Sequence, residues 1–111
     1  ELTLYGRVET PDLLRATAAS PSRALATAEE NRQKIALLLT DVVMPEMDGK
    51  KLRQETEKII PGIKVLYMSG YTANVIVHAG DIEPDVAFLQ KPFSTSELTE
   101  KVRAVLDRPA N

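Results

Sequence analysis

Three side chains of different chemistry stand at or just beyond the ends of short apolar runs. Asp41 follows Ile35 to Thr40, Ser69 follows Lys64 to Met68, and Lys91 comes shortly after Val86 to Leu89. A carboxylate in such a position can act as a nucleophile, as a metal ligand, or simply as a cap for the next loop. An ammonium group is a point charge suited to phosphoryl oxygens, and a hydroxyl can donate a hydrogen bond to one. Phosphoryl transfer asks little covalent work of a protein beyond an in-line nucleophile and charge neutralisation, so these three groups with a divalent cation are a sufficient set. The cation would be Mg²⁺, because only oxygen ligands are on offer. Each group alone also has a plainer reading: an aspartate that caps a turn, a serine that closes one, a lysine before proline that is merely solvated.

The chemistry depends on elements that bring the three together. Ile35 to Leu39 is unbroken apolar, as expected for a strand covered on both faces by helices, and Lys64 to Met68 and Val86 to Leu89 repeat the design. Between them lie helix signals. Ser20-Pro21 places an N-cap before a first-turn proline, with Ala24, Leu25 and Ala28 as a narrow apolar stripe ending near Asn31. Leu52, Ile59 and Ile60 share a face between Gly49 and the stop at Pro61-Gly62. Ser94 to Glu97 fits a capping box, Phe93 and Leu98 a hydrophobic staple, and Leu98, Val102, Val105 and Leu106 follow at helical spacing. Residues 71 to 85 permit only a short helix, around Val75-Ile76-Val77, in a long connection. Alternating strands and helices predict an α/β domain with a parallel sheet, whose sites form beyond the carboxyl ends of the strands.

Composition narrows the function. A chain of 111 residues, 43% hydrophobic and 27% charged, predicts one domain with one core. A net charge of −2 with 14 scattered basic residues argues against a nucleic-acid surface. The absence of cysteine excludes disulfides and thiolate metal sites and suits a reducing compartment, the cytoplasm. No apolar run approaches the ~20 residues of a membrane span. His78 is the only histidine, so a multi-histidine metal site or a histidine triad has no support, and it is expected on the surface of the long connection. The glycines form neither a dinucleotide fingerprint nor a P-loop.

The segments TDVVMPEMDG, VLYMSGY and AFLQKPF, in this order, resemble the three signature segments of the response-regulator receiver domain of two-component signalling, and most closely those of receivers attached to hybrid sensor histidine kinases. The resemblance covers about residues 20 to 108. It implies a flavodoxin-like, doubly wound parallel sheet, one domain over residues 1–111, and a signalling role rather than an enzyme. Carried over residue by residue, it implies that Asp41 accepts a phosphoryl group from a phosphohistidine on a sensor histidine kinase or phosphotransfer domain. Ser69 would be the hydroxyl that moves to the phosphoryl oxygen, Lys91 its cationic partner, and Phe88 the switch aromatic, with simple core packing as its plainer reading. Mg²⁺ would be held by Asp41 and the backbone carbonyl of Val43, and Lys91-Pro92 would be a cis bond. Pro45 and Gly49 would shape the loop after the acceptor, with Glu46 and Asp48 as exposed turn residues.

The chain departs from this family at its start, where receivers carry a pair of acids that hold Mg²⁺ at the end of the first strand. ELTLYGRVETPDLLRATAAS has no such pair, and its region is incomplete or degenerate. In one reading Leu2 to Val8 is the first strand, Glu9 is a remnant metal ligand, and Pro11 to Ala19 begins a helix. In the other, Leu13 to Ala18 is the second strand and the first strand and helix are absent or degenerate. A missing strand would leave an edge open to homodimerisation or strand exchange with a second copy. Two alternatives to the phosphoacceptor reading follow: a degenerate receiver acting as a phosphorylation-independent interaction or dimerisation module, and an aspartate-nucleophile phosphatase. The last requires a second acid two residues after the nucleophile, and that position is Val43.

Overall fold

A computed structural model describes residues 2–7, 13–44, 46–71, 80 and 86–108. Among them a five-stranded sheet is built from β1 (Leu2–Arg7), β2 (Leu13–Ala18), β3 (Ile35–Asp41), β4 (Lys64–Ser69) and β5 (Ala87–Gln90), in the order β2-β1-β3-β4-β5. Helices α1 (Pro21–Glu30), α2 (Gly49–Ile59) and α3 (Thr95–Leu106) cover it. The α/β architecture expected from the sequence is the one observed, with strands β3 to β5 parallel.

Alternate residues of the central strands divide between two cores. Leu4, Leu38, Val65 and Tyr67 face α1 and α2, packing with Ala24, Ala28 and Leu52. Tyr5, Leu37, Leu39, Leu66 and Met68 face α3, packing with Val102, Val105 and Leu106. Both faces are covered, which is why the β3 run carries no polar alternation.

The helix starts follow the caps read in the sequence. The Ser20 hydroxyl accepts from Arg23 N at 3.3 Å. In α3 both halves of the capping box are made, Glu97 N to Ser94 Oγ at 3.1 Å and Ser94 N to Glu97 Oε1 at 3.3 Å. Phe93 and Leu98 pack half-buried against the same core.

At the N-terminus the structure corrects both readings by taking a strand from each. Leu2–Arg7 is a strand, so the first strand is not absent; Leu13–Ala18 is also a strand, so no helix runs from Pro11 to Ala19. They pair antiparallel as a hairpin, Leu2 opposite Ala18 and Arg7 opposite Leu13, and β1 is antiparallel to β3 as well. The reason lies in chain length. Adjacent parallel strands need a crossover of roughly a dozen or more residues, and only residues 8–12 separate β1 from β2. Both strands are supplied by one chain, and β2 forms one edge of the sheet. Val75 to Val77 and His78 lie outside the described residues.

Candidate functional site

Parallel pairing of β3, β4 and β5 sends their carboxyl ends to one edge of the sheet. Backbone bonds continue one step past the strands: Val42 N donates to Met68 O at 3.1 Å and Lys91 N to Ser69 O at 2.8 Å. Asp41, Ser69 and Lys91 therefore leave the sheet as neighbours. The Lys91–Pro92 peptide bond is cis. The Lys91 Nζ lies 2.6 Å from Asp41 Oδ1, with the carboxylate side chain 17% exposed and the lysine 46%.

Hydrogen bonds hold the main chain around Asp41 and the segment that leads into α2. Thr40 Oγ1 donates to the Asp41 carbonyl at 2.9 Å. Gly49 N donates to Val42 O at 2.8 Å, closing the loop between β3 and α2. Asp48, at the N-cap of α2, accepts from Lys51 N at 2.8 Å. Glu46 accepts from the Ser22 hydroxyl in the first turn of α1, tying that loop to a second helix. Glu46 and Asp48 are exposed as expected, but each also has a partner. Read from the sequence, Asp48 is only an exposed turn residue and its capping role is missed, although an Asp directly before a helix start is its local signal; the Ser22 contact joins residues 24 apart and left no local signal.

Ser69 Oγ accepts from Tyr71 N at 3.0 Å, the local turn that a hydroxyl two residues upstream commonly makes. Phe88 stands opposite Tyr67 in the β4–β5 register and packs half-buried against the core beneath α1 and α2. The Val43 side chain, two residues after Asp41, is 72% exposed, and Tyr71 is exposed as well.

Burial alone would raise the Asp41 carboxyl; hydrogen bonds and positive charge around it, Lys91 first among them, outweigh that and hold it below its ordinary value of 3.8. A depressed folded-state pKa stabilises the fold above the ordinary value and ceases to do so as pH falls through the folded one. An NMR titration of the Asp41 side-chain carbon is expected to show a midpoint below 3.8, moving upward in Lys91→Met. A midpoint unchanged by that substitution would remove Lys91 as the cause.

The Mg²⁺ implied by the sequence resemblance requires near-octahedral oxygen coordination, usually with one or two carboxylates and several waters. Among the described residues no cluster of three or more acidic or histidine side chains could hold a metal ion. Among the described residues the candidate donors at this edge are the Asp41 carboxylate and the Val43 carbonyl, and one Asp41 oxygen already faces the Lys91 ammonium. Glu9 lies outside the described residues, and the strand before it ends at Arg7, on the edge opposite Asp41. By themselves these described donors do not fit a tightly held divalent cation.

Comparison with known proteins bears on the whole arrangement. Residues 8–103 match the family model described as the response regulator receiver domain. The chain is 37% identical over 91 residues to the sensor kinase CckA of Brucella abortus, covering 82% of this chain but only 10% of that protein. It is 36% identical over 83 residues to the response regulator receiver protein CpdR of the same organism, covering 73% of this chain and 69% of that one. A response regulator receiver domain protein from Clostridium thermocellum superposes with a TM-score of 0.69 at 26% identity, over 84% of this chain and 74% of that chain. A receiver protein from Sinorhizobium medicae gives 0.66 at 25% identity, over 83% and 73%.

Proposed function

From the premise that the chain belongs to the response regulator receiver domain family of two-component signalling, we propose that Asp41 is its phosphoacceptor. The observation that carries this reading is the Asp41–Lys91 contact of 2.6 Å at the carboxyl edge of the sheet, with Ser69 on the adjoining strand end. An Asp41 carboxylate oxygen attacks the phosphorus of a phosphohistidine on a sensor histidine kinase or phosphotransfer domain. The P–N bond breaks, its electron pair stays on the imidazole nitrogen, and an acyl phosphate forms on Asp41. Lys91 neutralises the charge gathering on the phosphoryl oxygens.

Once formed, the acyl phosphate offers acceptor oxygens that compete for Ser69 and Lys91. The Ser69 hydroxyl turns from its bond with Tyr71 N to donate to one of them, and Phe88 repacks as the β4 and β5 ends shift. Phosphorylation thereby changes the population of two surface states that a partner reads. The protein works where its phosphodonor is presented, in the cytoplasm, and its resemblance to part of CckA supports a place within a hybrid kinase.

The test is direct. Incubation with a phosphohistidine-bearing donor, or with a small phosphodonor and Mg²⁺, is expected to add one phosphate by mass to the parent chain and none to Asp41→Asn. An unmodified parent sinks the reading. A second reading is favoured by the reversed β1: a degenerate receiver that binds partners without phosphorylation. It predicts partner binding unaffected by Asp41→Asn.

A further inference from the structure

We propose that Met44 is a peroxide-responsive modification site: conversion of its thioether to the sulfoxide releases the main chain at Asp41, and reduction restores it. The effect on phosphoryl uptake rests on the reading of Asp41 above. The modification and its structural effect do not.

The chain carries no cysteine, so a peroxide meets no thiol, and the thioethers of Met44, Met47 and Met68 are the soft groups open to it. Met68 is only 6% exposed within β4. Met44 and Met47 are half-buried, packed against the core beneath α1 and α2. Met44 is set apart by what its sulfur meets. Sδ lies 3.7 Å from Thr40 Oγ1, the same hydroxyl that stands 2.9 Å from the Asp41 carbonyl oxygen.

A hydroxyl has one proton to donate, and here two acceptors compete for it. Thr40 is completely buried, so bulk water cannot replace a lost partner. A thioether is a weak acceptor beside a carbonyl, and the proton stays with Asp41. Oxidation reverses that order. A lone pair of Sδ attacks one oxygen of hydrogen peroxide, the O–O bond breaks, that oxygen stays on the sulfur and the other leaves as water. The new oxygen is a strong acceptor on the atom that Thr40 already faces, and it draws the proton from the carbonyl. It is also polar where the thioether packed against apolar side chains, so the loop must shift to solvate it.

The segment that must give is short and closely packed. The Gly49 N to Val42 O bond of 2.8 Å closes the loop that contains Met44. The Asp41 carbonyl lies so near α2 that a Cβ on Gly49 would come within 2.5 Å of it. Displacing that carbonyl therefore displaces the start of α2 as well. The Asp41 carboxylate is carried by the same residue, and a misplacement of reacting groups by about 1 Å costs up to about 10²-fold in rate. Methionine sulfoxide is reducible by dedicated enzymes, so the change can be undone.

The test treats the whole chain with hydrogen peroxide, locates added oxygen by peptide mass and follows amide hydrogen exchange by NMR. Oxygen is expected on Met44 before Met68, with protection at the Gly49 amide falling by up to about tenfold, the loss that one hydrogen bond of typical net strength allows. Phosphate uptake should slow in parallel. Met44→Leu, a volume-conserving change, is expected to keep its protection and uptake through the same treatment, while Met47→Leu responds as the parent does. Thr40→Val is expected to take the oxygen at Met44 with a smaller change at Gly49, because the competing hydroxyl is gone. A folded parent that resists oxidation at Met44, or that carries the sulfoxide with Gly49 protection unchanged, overturns the proposal. So does an undiminished response in Thr40→Val or a lost one in Met47→Leu. Failure of the phosphoacceptor reading shows separately, as no phosphate on the unoxidised parent.

Discussion

Lys91→Met is expected to slow phosphoryl transfer to Asp41 by about 10² to 10³-fold, the usual consequence of removing one preorganised donor from a site where negative charge develops. Methionine keeps most of the length and apolar stem of lysine but carries no charge, so the substitution isolates the ammonium. The Lys91 Nζ, 2.6 Å from Asp41 Oδ1, is placed to neutralise that charge. Stability should change much less, because the lysine is half exposed, and exposed ion pairs typically contribute about 0 to 1 kcal/mol. The measurement is the initial rate of phosphate incorporation by mass, alongside a thermal melt. A rate within about 3-fold of the parent would assign the neutralisation to another group, given that one lost donor normally costs far more.

Gly49→Ala is expected to destabilise the fold and to disturb the loop after Asp41 together. A Cβ built on Gly49 would come 2.5 Å from the Asp41 carbonyl oxygen and 3.1 Å from the Tyr67 ring. The first contact is with backbone, so no rotamer change relieves it; either α2 moves away from the sheet or the end of β3 does. Alanine favours a helix interior over glycine by up to about 1 kcal/mol, but Gly49 is only the first residue of α2, where that gain is smaller. Overpacking of this kind costs about 1 to 3 kcal/mol, so destabilisation wins. For a domain near this size each kcal/mol lowers the melting temperature by roughly 4 to 8 °C. The Gly49 N to Val42 O bond, 2.8 Å in the parent, should lengthen, and its amide should lose protection from hydrogen exchange. An alanine variant that melts with the parent and keeps that protection would show that the loop yields without cost.

The two substitutions act on different physics at one place, and that distinction marks what could be read from the chain. Asp41, Ser69 and Lys91 were legible because apolar runs with few polar interruptions call for buried parallel strands, and parallel strands deliver their ends to a common edge. The capping residues Ser20 and Ser94 were legible because a cap is a local bond between residues three apart. Gly49 was legible only as a turn residue. Its closeness to the Asp41 carbonyl depends on how α2 lies against β3 and β4, which no local pattern records.

The N-terminus shows the same boundary more sharply. Leu2 to Arg7 and Leu13 to Ala18 each carry strand-forming composition, and taken one at a time each fits a familiar first or second strand. Their separation by five residues held the decisive information, since it is too short for a crossover and ample for a hairpin. What the amino-acid sequence determined by itself is the alternation of strands and helices after residue 20, the caps that begin α1 and α3, and the three groups at the strand ends. What only the tertiary structure decided is the direction of β1 between its neighbours, the ammonium seated on Asp41, and the close approach at Gly49. The physical reason is that periodicity and caps are short-range, whereas strand direction and site charge depend on pairings between segments far apart in the chain.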